Sequence, residues 1–195
     1  NEYIAKIFLG LEEVLAEEIR NLGAKQVQML NRAVKFQGDK AMLYRANLHL
    51  HTALKVLVPI KKFSCKNEDE LYQAIYEHPW ENLFNLYNTF VIDGVVNSSL
   101  FKHSHYTALK AKDAIVDRFR DKYNKRPSID KNKPDFRINL HIFRDQCTLS
   151  LDSSGESLHK RGYKAKNVRA PLNEVLAAGL IRLSGWDASS VFVDP

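Results

Sequence analysis

The sequence predicts a mixed α+β chain. A compact βαββαβ unit comes first, an ααβαββ unit second, and a lone helix and strand begin a third. Three observations predict this. Apolar spacing switches repeatedly between helical and alternating periods along the chain. Turn and stop residues such as Gly23, Gly38 and Pro79 fall at the switches. After Asp152 periodicity disappears until Ala170, where a new helical pattern starts. A length of 195 residues is enough for two small units with cores of their own.

Tyr3–Phe8 alternates and reads as a strand. Leu11, Val14, Leu15, Ile19 and Leu22 recur at helical spacing, so a helix is expected over Gly10–Leu22, with Glu12 and Glu13 at its dipole-favoured start and Gly23 as its stop. Two strands, Gln26–Leu30 and Ala33–Phe36, flank Asn31-Arg32. A second helix covers about Lys40–Leu50, and Leu54–Phe63 is a strong strand whose Pro59 suggests an edge or bulge. This βαββαβ order is that of a split βαβ, ferredoxin-like unit.

Asn67 with Glu70 forms a capping box for the next helix. Pro79 ends it, and Trp80–Leu86 reads as a short second helix. Thr89–Asn97 is a strand, His105–Tyr123 the longest helix, and Asn124–Pro134 a polar loop. Phe136, Ile138, Leu140 and Ile142 point one way along a strand, and Arg137, Asn139 and His141 the other. Arg144-Asp145-Gln146 turns the chain into a hairpin partner, Cys147–Leu151. The basic stretch 155–170 reads as a linker. Pro171 opens a helix over Leu172–Leu183 at its first turn, and Ser190–Val193 looks like the start of a strand.

Composition excludes several classes. No apolar run reaches the length of a membrane-spanning helix, and no signal-peptide pattern opens the chain. Cys65 and Cys147 are the only cysteines, which argues against a disulfide framework and for a cytoplasmic setting. His49 and His51, like His103 and His105, are spaced for one strand face, but no further ligand completes a metal site. The net charge is +6, and it is concentrated late. Residues 102–137 hold eleven Lys/Arg against five Asp/Glu, and residues 155–170 five against one. Clustered positive charge suits a nucleic acid, and it also makes an ordinary solubilising surface.

No P-loop, GxGxxG, HExxH, GxSxG or Asn-Pro-Pro-Tyr-type motif occurs, so no catalytic residue is assigned. The informative stretch is residues 103–120. Ala108, Leu109, Ile115, Val116 and Phe119 define an apolar helix face, and Lys112 falls in its middle. Either Lys112 snorkels to water, or the helix overhangs its core and offers the ammonium to a phosphate near its own N-terminus. Lys110 and Arg118 lie off that centre, where they could meet RNA or form salt bridges with Asp113 and Asp117. Tyr106 could stack on an unpaired base or serve as a capping aromatic. Arg126 and Arg137 frame the loop before the hairpin. His159, Lys160, Arg161 and Tyr163 interleave basic and aromatic character on the linker.

These residues carry a resemblance. Residues 106–117 (YTALKAKDAIVD) look like the central helix of a THUMP domain. Residues 150–163 (SLDSSGESLHKRGY) resemble the joint that follows it in bacterial guanine-N2 RNA methyltransferases. Residues 170–178 (APLNEVLAA) resemble the first helix of their Rossmann-like methyltransferase domain, and residues 10–18 (GLEEVLAEE) their opening helix. The resemblance implies a ferredoxin-like domain at 1–63, a THUMP domain at 64–154 (a family profile could start it near 43), a basic linker at 155–170 and the start of a methyltransferase domain at 171–195. It implies a parent enzyme that uses S-adenosylmethionine on N2 of a guanosine, in large-subunit (23S) ribosomal RNA. It points to His105, Tyr106, Lys110, Lys112, His159, Lys160, Arg161 and Tyr163 as RNA-facing. Pro171, Leu172, Glu174 and Asp194 become the edge of a cofactor site. The segment would reach Asp194-Pro195 just before the cofactor loop and be inactive alone, its partners being structured RNA and its own catalytic domain. The alternatives are the RNA-binding module of a tRNA-modifying enzyme, and a ferredoxin-like interaction protein with no nucleic-acid role.

Overall fold

A computed structural model of the chain describes residues 1–101, 103–162 and 171–193. They fall into two compact units: Asn1–Val58 with Glu156–Pro195, and Pro59–Gly155.

The first unit runs β1 (Glu2–Lys6), α1 (Glu12–Asn21), β2 (Lys25–Leu30), β3 (Ala33–Gln37), α2 (Lys40–His49) and the start of β4 (Lys55–Ser64). The strand order is β2-β3-β1-β4, and β1 pairs antiparallel with β3 and β4, as does β2 with β3. On α1, Leu11, Leu15 and Ile19 recur every four residues and are buried with Tyr3, Phe36 and Met42. Asp39 caps α2 by accepting from the Met42 N–H at 2.7 Å. Pro59 lies past Leu57, the last residue of β4 to pair with β1, where its missing N–H costs no ladder bond there.

Helix α5 (Glu174–Leu183) also belongs to this unit. The sequence suggests a helix starting at Pro171. Instead Asn173 is the cap, accepting from the Val175 and Leu176 N–H groups at 3.0 and 3.4 Å. Val175 and Gly179 are buried, and the helix rests on α1. A Cβ on Gly179 would stand 2.5 Å from a Leu11 methyl, so only glycine permits this approach without a shift. The buried Glu18 carboxylate ties the elements together. It accepts from the Thr52 N–H at 3.0 Å, from the Thr52 hydroxyl and from Arg182 at 2.9 Å. A buried charge requires such pairing. Ser190–Val193 forms no strand. There the Trp186 indole donates to the Ser190 carbonyl at 2.8 Å and its ring packs on Phe192.

The second unit runs from the end of β4 through α3 (Glu68–Tyr76), a 3-10 turn (Trp80–Asn82), β5 (Thr89–Asn97), α4 (Ser104–Tyr123), β6 (Ser128–Ile129), β7 (Phe136–Phe143) and β8 (Gln146–Asp152). Its strand order is β4-β8-β7-β5-β6. β5 is parallel to β6 and β7, and β7 and β8 form an antiparallel hairpin. Asn67 caps α3 through the Asp69 and Glu70 N–H groups, while Glu70 reaches back to the Lys66 N–H. The segment expected as a helix over Trp80–Leu86 stays a single turn. Asn85 and Asn88 side chains take the Tyr87 and Asn85 N–H groups, an Asx geometry that competes with helix. Strand β6, inside the expected loop, is too short to leave a periodic signal.

The core of this unit is aromatic. Phe84 packs on Phe119 and Phe136 at 5.3 Å, on Phe90 at 5.5 Å and on Trp80 at 6.2 Å between ring centroids. The Trp80 indole donates to the Ile75 carbonyl at 2.7 Å, which satisfies the polar end of the largest buried ring.

Candidate nucleic-acid interface

Helix α4 packs on its sheet through small residues. Thr107, Ala111, Ala114, Ile115, Val116 and Phe119 are buried. Where α4 crosses β5, the strand carries Gly94, and a Cβ there would lie 3.1 Å from the Ala108 Cβ and 3.2 Å from the Ser104 carbonyl oxygen. This corrects the expected apolar face. Leu109 is exposed, and the buried centre runs through Ala111 and Ala114, with Lys112 on its flank. Ala108 makes the close approach to Gly94, and Ile115, Val116 and Phe119 of the expected face are buried.

His105 and Leu109, both exposed, and the half-buried Lys112 therefore form a strip at i, i+4, i+7, joined by the exposed Tyr106. His105 and Tyr106 face solvent in the first turn. The Lys112 ammonium sits 2.6 Å from Asp113, and Lys110 lies 3.4 Å from Asp69 and 5.2 Å from the Tyr72 ring centroid. Both lysines are held at the surface in exposed or half-exposed pairs that a phosphate could displace.

The C-terminal half of α4 is different. The Arg118 guanidinium donates to both Glu81 oxygens, at 2.8 and 2.7 Å, and to the Tyr76 carbonyl at 2.9 Å. Lys122 adds a bond to Glu81 at 2.6 Å. The Arg118 hydrogen bonds, then that of Lys122, hold the Glu81 carboxyl well below the usual carboxylate range. Arg118 braces the Trp80 turn against α4. On the same face the Tyr72 hydroxyl donates to Asp117 at 2.9 Å, and burial and that bond push its pKa up to about 12. Arg126 is exposed, and Arg137 is paired with Asp93 at 3.0 Å.

The second basic stretch belongs to the first unit as far as it is described. The Leu158 N–H donates to the Leu54 carbonyl at 2.8 Å, and Leu158 packs against the apolar core. His159 shares a 2.8 Å hydrogen bond with Ser157. Arg161 donates to the carbonyls of Asn47, Leu48 and Leu50 at 3.0, 2.6 and 2.7 Å, closing the C-terminus of α2. A cation there meets the negative end of the helix dipole. The expected linker is thus anchored over 156–162, and Arg161 is a clamp. Lys160 stays exposed, 3.9 Å from Glu156. Tyr163 and Asp194 lie outside the described residues. Pro171 and Leu172 are exposed and Glu174 half-buried at the start of α5.

Sequence reasoning missed two residues at the hairpin tip, Phe143 and Arg144, both exposed. The signal was present: strand parity puts Phe143 on the same side as Arg137, Asn139 and His141, an aromatic among polar neighbours.

The comparisons with known proteins agree with this layout. Residues 65–152 match the THUMP domain family, residues 2–57 the RlmL ferredoxin-like domain, and residues 161–195 the RMKL-like methyltransferase domain. Over residues 65–152 the chain is thus similar to the THUMP domain family. More narrowly, it resembles the N-terminal part of THUMP RNA methyltransferases of the large-subunit ribosomal RNA methyltransferase K/L type. It is 48% identical over 177 residues to "Ribosomal RNA large subunit methyltransferase K/L" of Syntrophotalea carbinolica, covering 91% of this chain and 25% of that protein. It is 42% identical over 193 residues to "Putative RNA methyltransferase slr0064" of Synechocystis, covering 99% of this chain and 50% of that one. The solved structure described as "SMU.472, a putative methyltransferase complexed with SAH" superposes with a TM-score of 0.83 at 31% identity, over 100% of this chain and 51% of that chain. The chain thus spans a quarter to a half of the relatives it matches.

Proposed function

We propose that this chain is the RNA-capturing section of an S-adenosylmethionine-dependent methyltransferase that modifies N2 of a guanosine in large-subunit ribosomal RNA. The observation that carries this reading is the 48% identity to a protein named for large-subunit ribosomal RNA methylation, which extends over nearly the whole chain. The exposed strip of α4 supports it physically. His105, Tyr106 and Lys112 offer a cation, a ring and ring nitrogens beside the unsatisfied N–H groups of a helix start. Lys110, Arg126 and Arg137 would extend the phosphate contacts of this unit, and His159 and Lys160 would offer contacts of their own on the first unit. The catalytic domain of the parent protein would then take a guanine flipped out of the RNA.

The cofactor reading rests on the relative solved with SAH. Pro171, Leu172 and Glu174 supply two apolar side chains and one carboxylate, which alone are not a donor set for a nucleoside and a sulfonium, so no step through the cofactor is derived for this chain. No helix among the described residues is long and apolar enough to cross a membrane.

The test is binding of the chain to fragments of large-subunit ribosomal RNA across a salt series. Affinity that falls steeply with salt, and exceeds that for transfer RNA, is expected. No binding at low salt would sink the reading. Preference for transfer RNA would sink its ribosomal part.

A further inference from the structure

We infer that Phe143 and Arg144, at the tip of the β7–β8 hairpin, form a stacking platform for an unpaired base of bound RNA, separate from the first turn of α4. This rests on the reading of the chain as an RNA-capturing section.

Phe143 is 52% exposed and lies outside the core cluster, although the other phenylalanine of β7, Phe136, packs against that core. Its parity on β7 turns it to the polar side of the sheet, opposite Ile138, Leu140 and Ile142. The Arg144 guanidinium carbon stands 5.4 Å from the Phe143 ring centroid. An exposed ring backed by a guanidinium offers a base two things: a π-face to stack on and a cation for the adjoining phosphate.

The backbone adds an independent argument. Arg144 has φ +57, in the left-handed region that a hairpin turn ordinarily gives to glycine, asparagine or aspartate. Its N–H is fixed on the Asn97 carbonyl at 2.9 Å, so the turn is held in place. Arginine takes this conformation twice, at Arg32 in the β2–β3 turn and at Arg144, and it is Arg144 that stands beside an exposed ring. Arg118, Arg120, Arg137, Arg161 and Arg182 all have carboxylate or carbonyl partners. Among the described residues Arg144 has the Phe143 ring instead.

Topology points the same way. β5 and β7 are parallel, and Asn97 pairs with Phe143 at their carboxyl ends. The chain leaves β5 at that end to begin α4, so His105, Tyr106 and the hairpin tip share one end of the sheet. The carboxyl ends of parallel strands are where open α/β sheets bind ligands. Val95, 45% exposed two residues before Asn97 and paired with His141, extends an apolar floor toward the ring. Asp145 is the nearest acid in sequence, and its carbonyl is taken by the Cys65 N–H at 2.8 Å.

The test uses the 195-residue chain, a fluorescein-labelled single-stranded RNA decamer and a blunt RNA duplex of equal length, with affinities read by anisotropy. Phe143→Ala and Phe143→Leu should each weaken single-strand binding by about tenfold, the scale of one lost base stack. Phe143→Trp should retain it, and duplex binding should not change. Arg144→Asn, which keeps the left-handed turn, should weaken single-strand binding and flatten its salt dependence. Wild-type affinity in both Phe143→Ala and Phe143→Leu would overturn the platform and leave the RNA-capturing reading intact. So would an equal loss on duplex, or a Phe143→Trp variant as weak as Phe143→Leu. Failure of the unaltered chain to bind either RNA would overturn both.

Discussion

The joint at 156–162 and the first turns of α4 are both basic, polar segments, and charge alone does not separate them. The structure does. At the joint, Arg161 spends its donors on the last carbonyls of α2, and Leu158 is drawn into the core. At the start of α4, His105 and Tyr106 face solvent, and Lys112 rests on a neighbouring aspartate that water already reaches. A cation facing backbone carbonyls is part of the fold, whereas one facing an exposed carboxylate is exchangeable. The same division recurs within α4, between its free N-terminal half and the braced Arg118 half.

The largest effect that would sharpen this contrast is expected from Arg118→Ala. It leaves Glu81 with Lys122 alone and the Tyr76 carbonyl without its donor, and losing this half-buried bidentate pair should cost about 2–3 kcal/mol. Thermal or denaturant unfolding of the 195-residue chain would show it. Unchanged stability with lost RNA affinity would return Arg118 to the interface.

Acid should act on the same brace more gradually. Glu81 has its folded-state pKa depressed below the ordinary 4.5, so its contribution is complete above that value. Stability should fall as pH drops below 4.5 toward the folded-state value, and Glu81→Gln should flatten that stretch of a stability–pH profile. A profile identical in the variant would show that other carboxylates govern the acid limb.

Arg161→Ala comes next. Losing a charged donor from three carbonyls should destabilise the first unit by about 2 kcal/mol. Amide hydrogen exchange should report it at the end of α2, while the salt slope of RNA binding stays as it was. An unchanged α2 together with a shallower slope would break the comparison, because the joint would then be an RNA contact after all.

The smallest structural effect is expected from Lys110→Ala combined with Lys112→Ala. Unfolding should be nearly unaltered, while the slope of log affinity against log salt should decrease by about 2, one per lost phosphate contact. Equal RNA affinity at every salt concentration would remove the α4 strip from the interface.

Much of the fold was legible because its signals are local. Thr89–Asn97 and Phe136–Phe143 stand where alternation placed them, and Asn67 and Gly23 mark helix ends by their own chemistry. The errors have one physical origin: the sequence lists side chains, and tertiary packing decides what they face. Leu109 looked like core because it is large and apolar, yet the close approach to Gly94 is made by Ala108 and the Ser104 backbone. The carbonyl partners of Arg161 could not be read from the sequence because they lie more than a hundred residues away. Phe143 carried a readable signal, an aromatic on the polar parity of its strand, that the turn beside it concealed.

The seating of α5 has a consequence for stability. Residues 161–195 match a methyltransferase-domain family, but by cohesion α5 belongs with α1, through Gly179 against Leu11 and Arg182 on Glu18. Separating α5 from α1 would uncover Leu11 and take one of the donors from Glu18, so a front section that keeps α5 should be the more stable one.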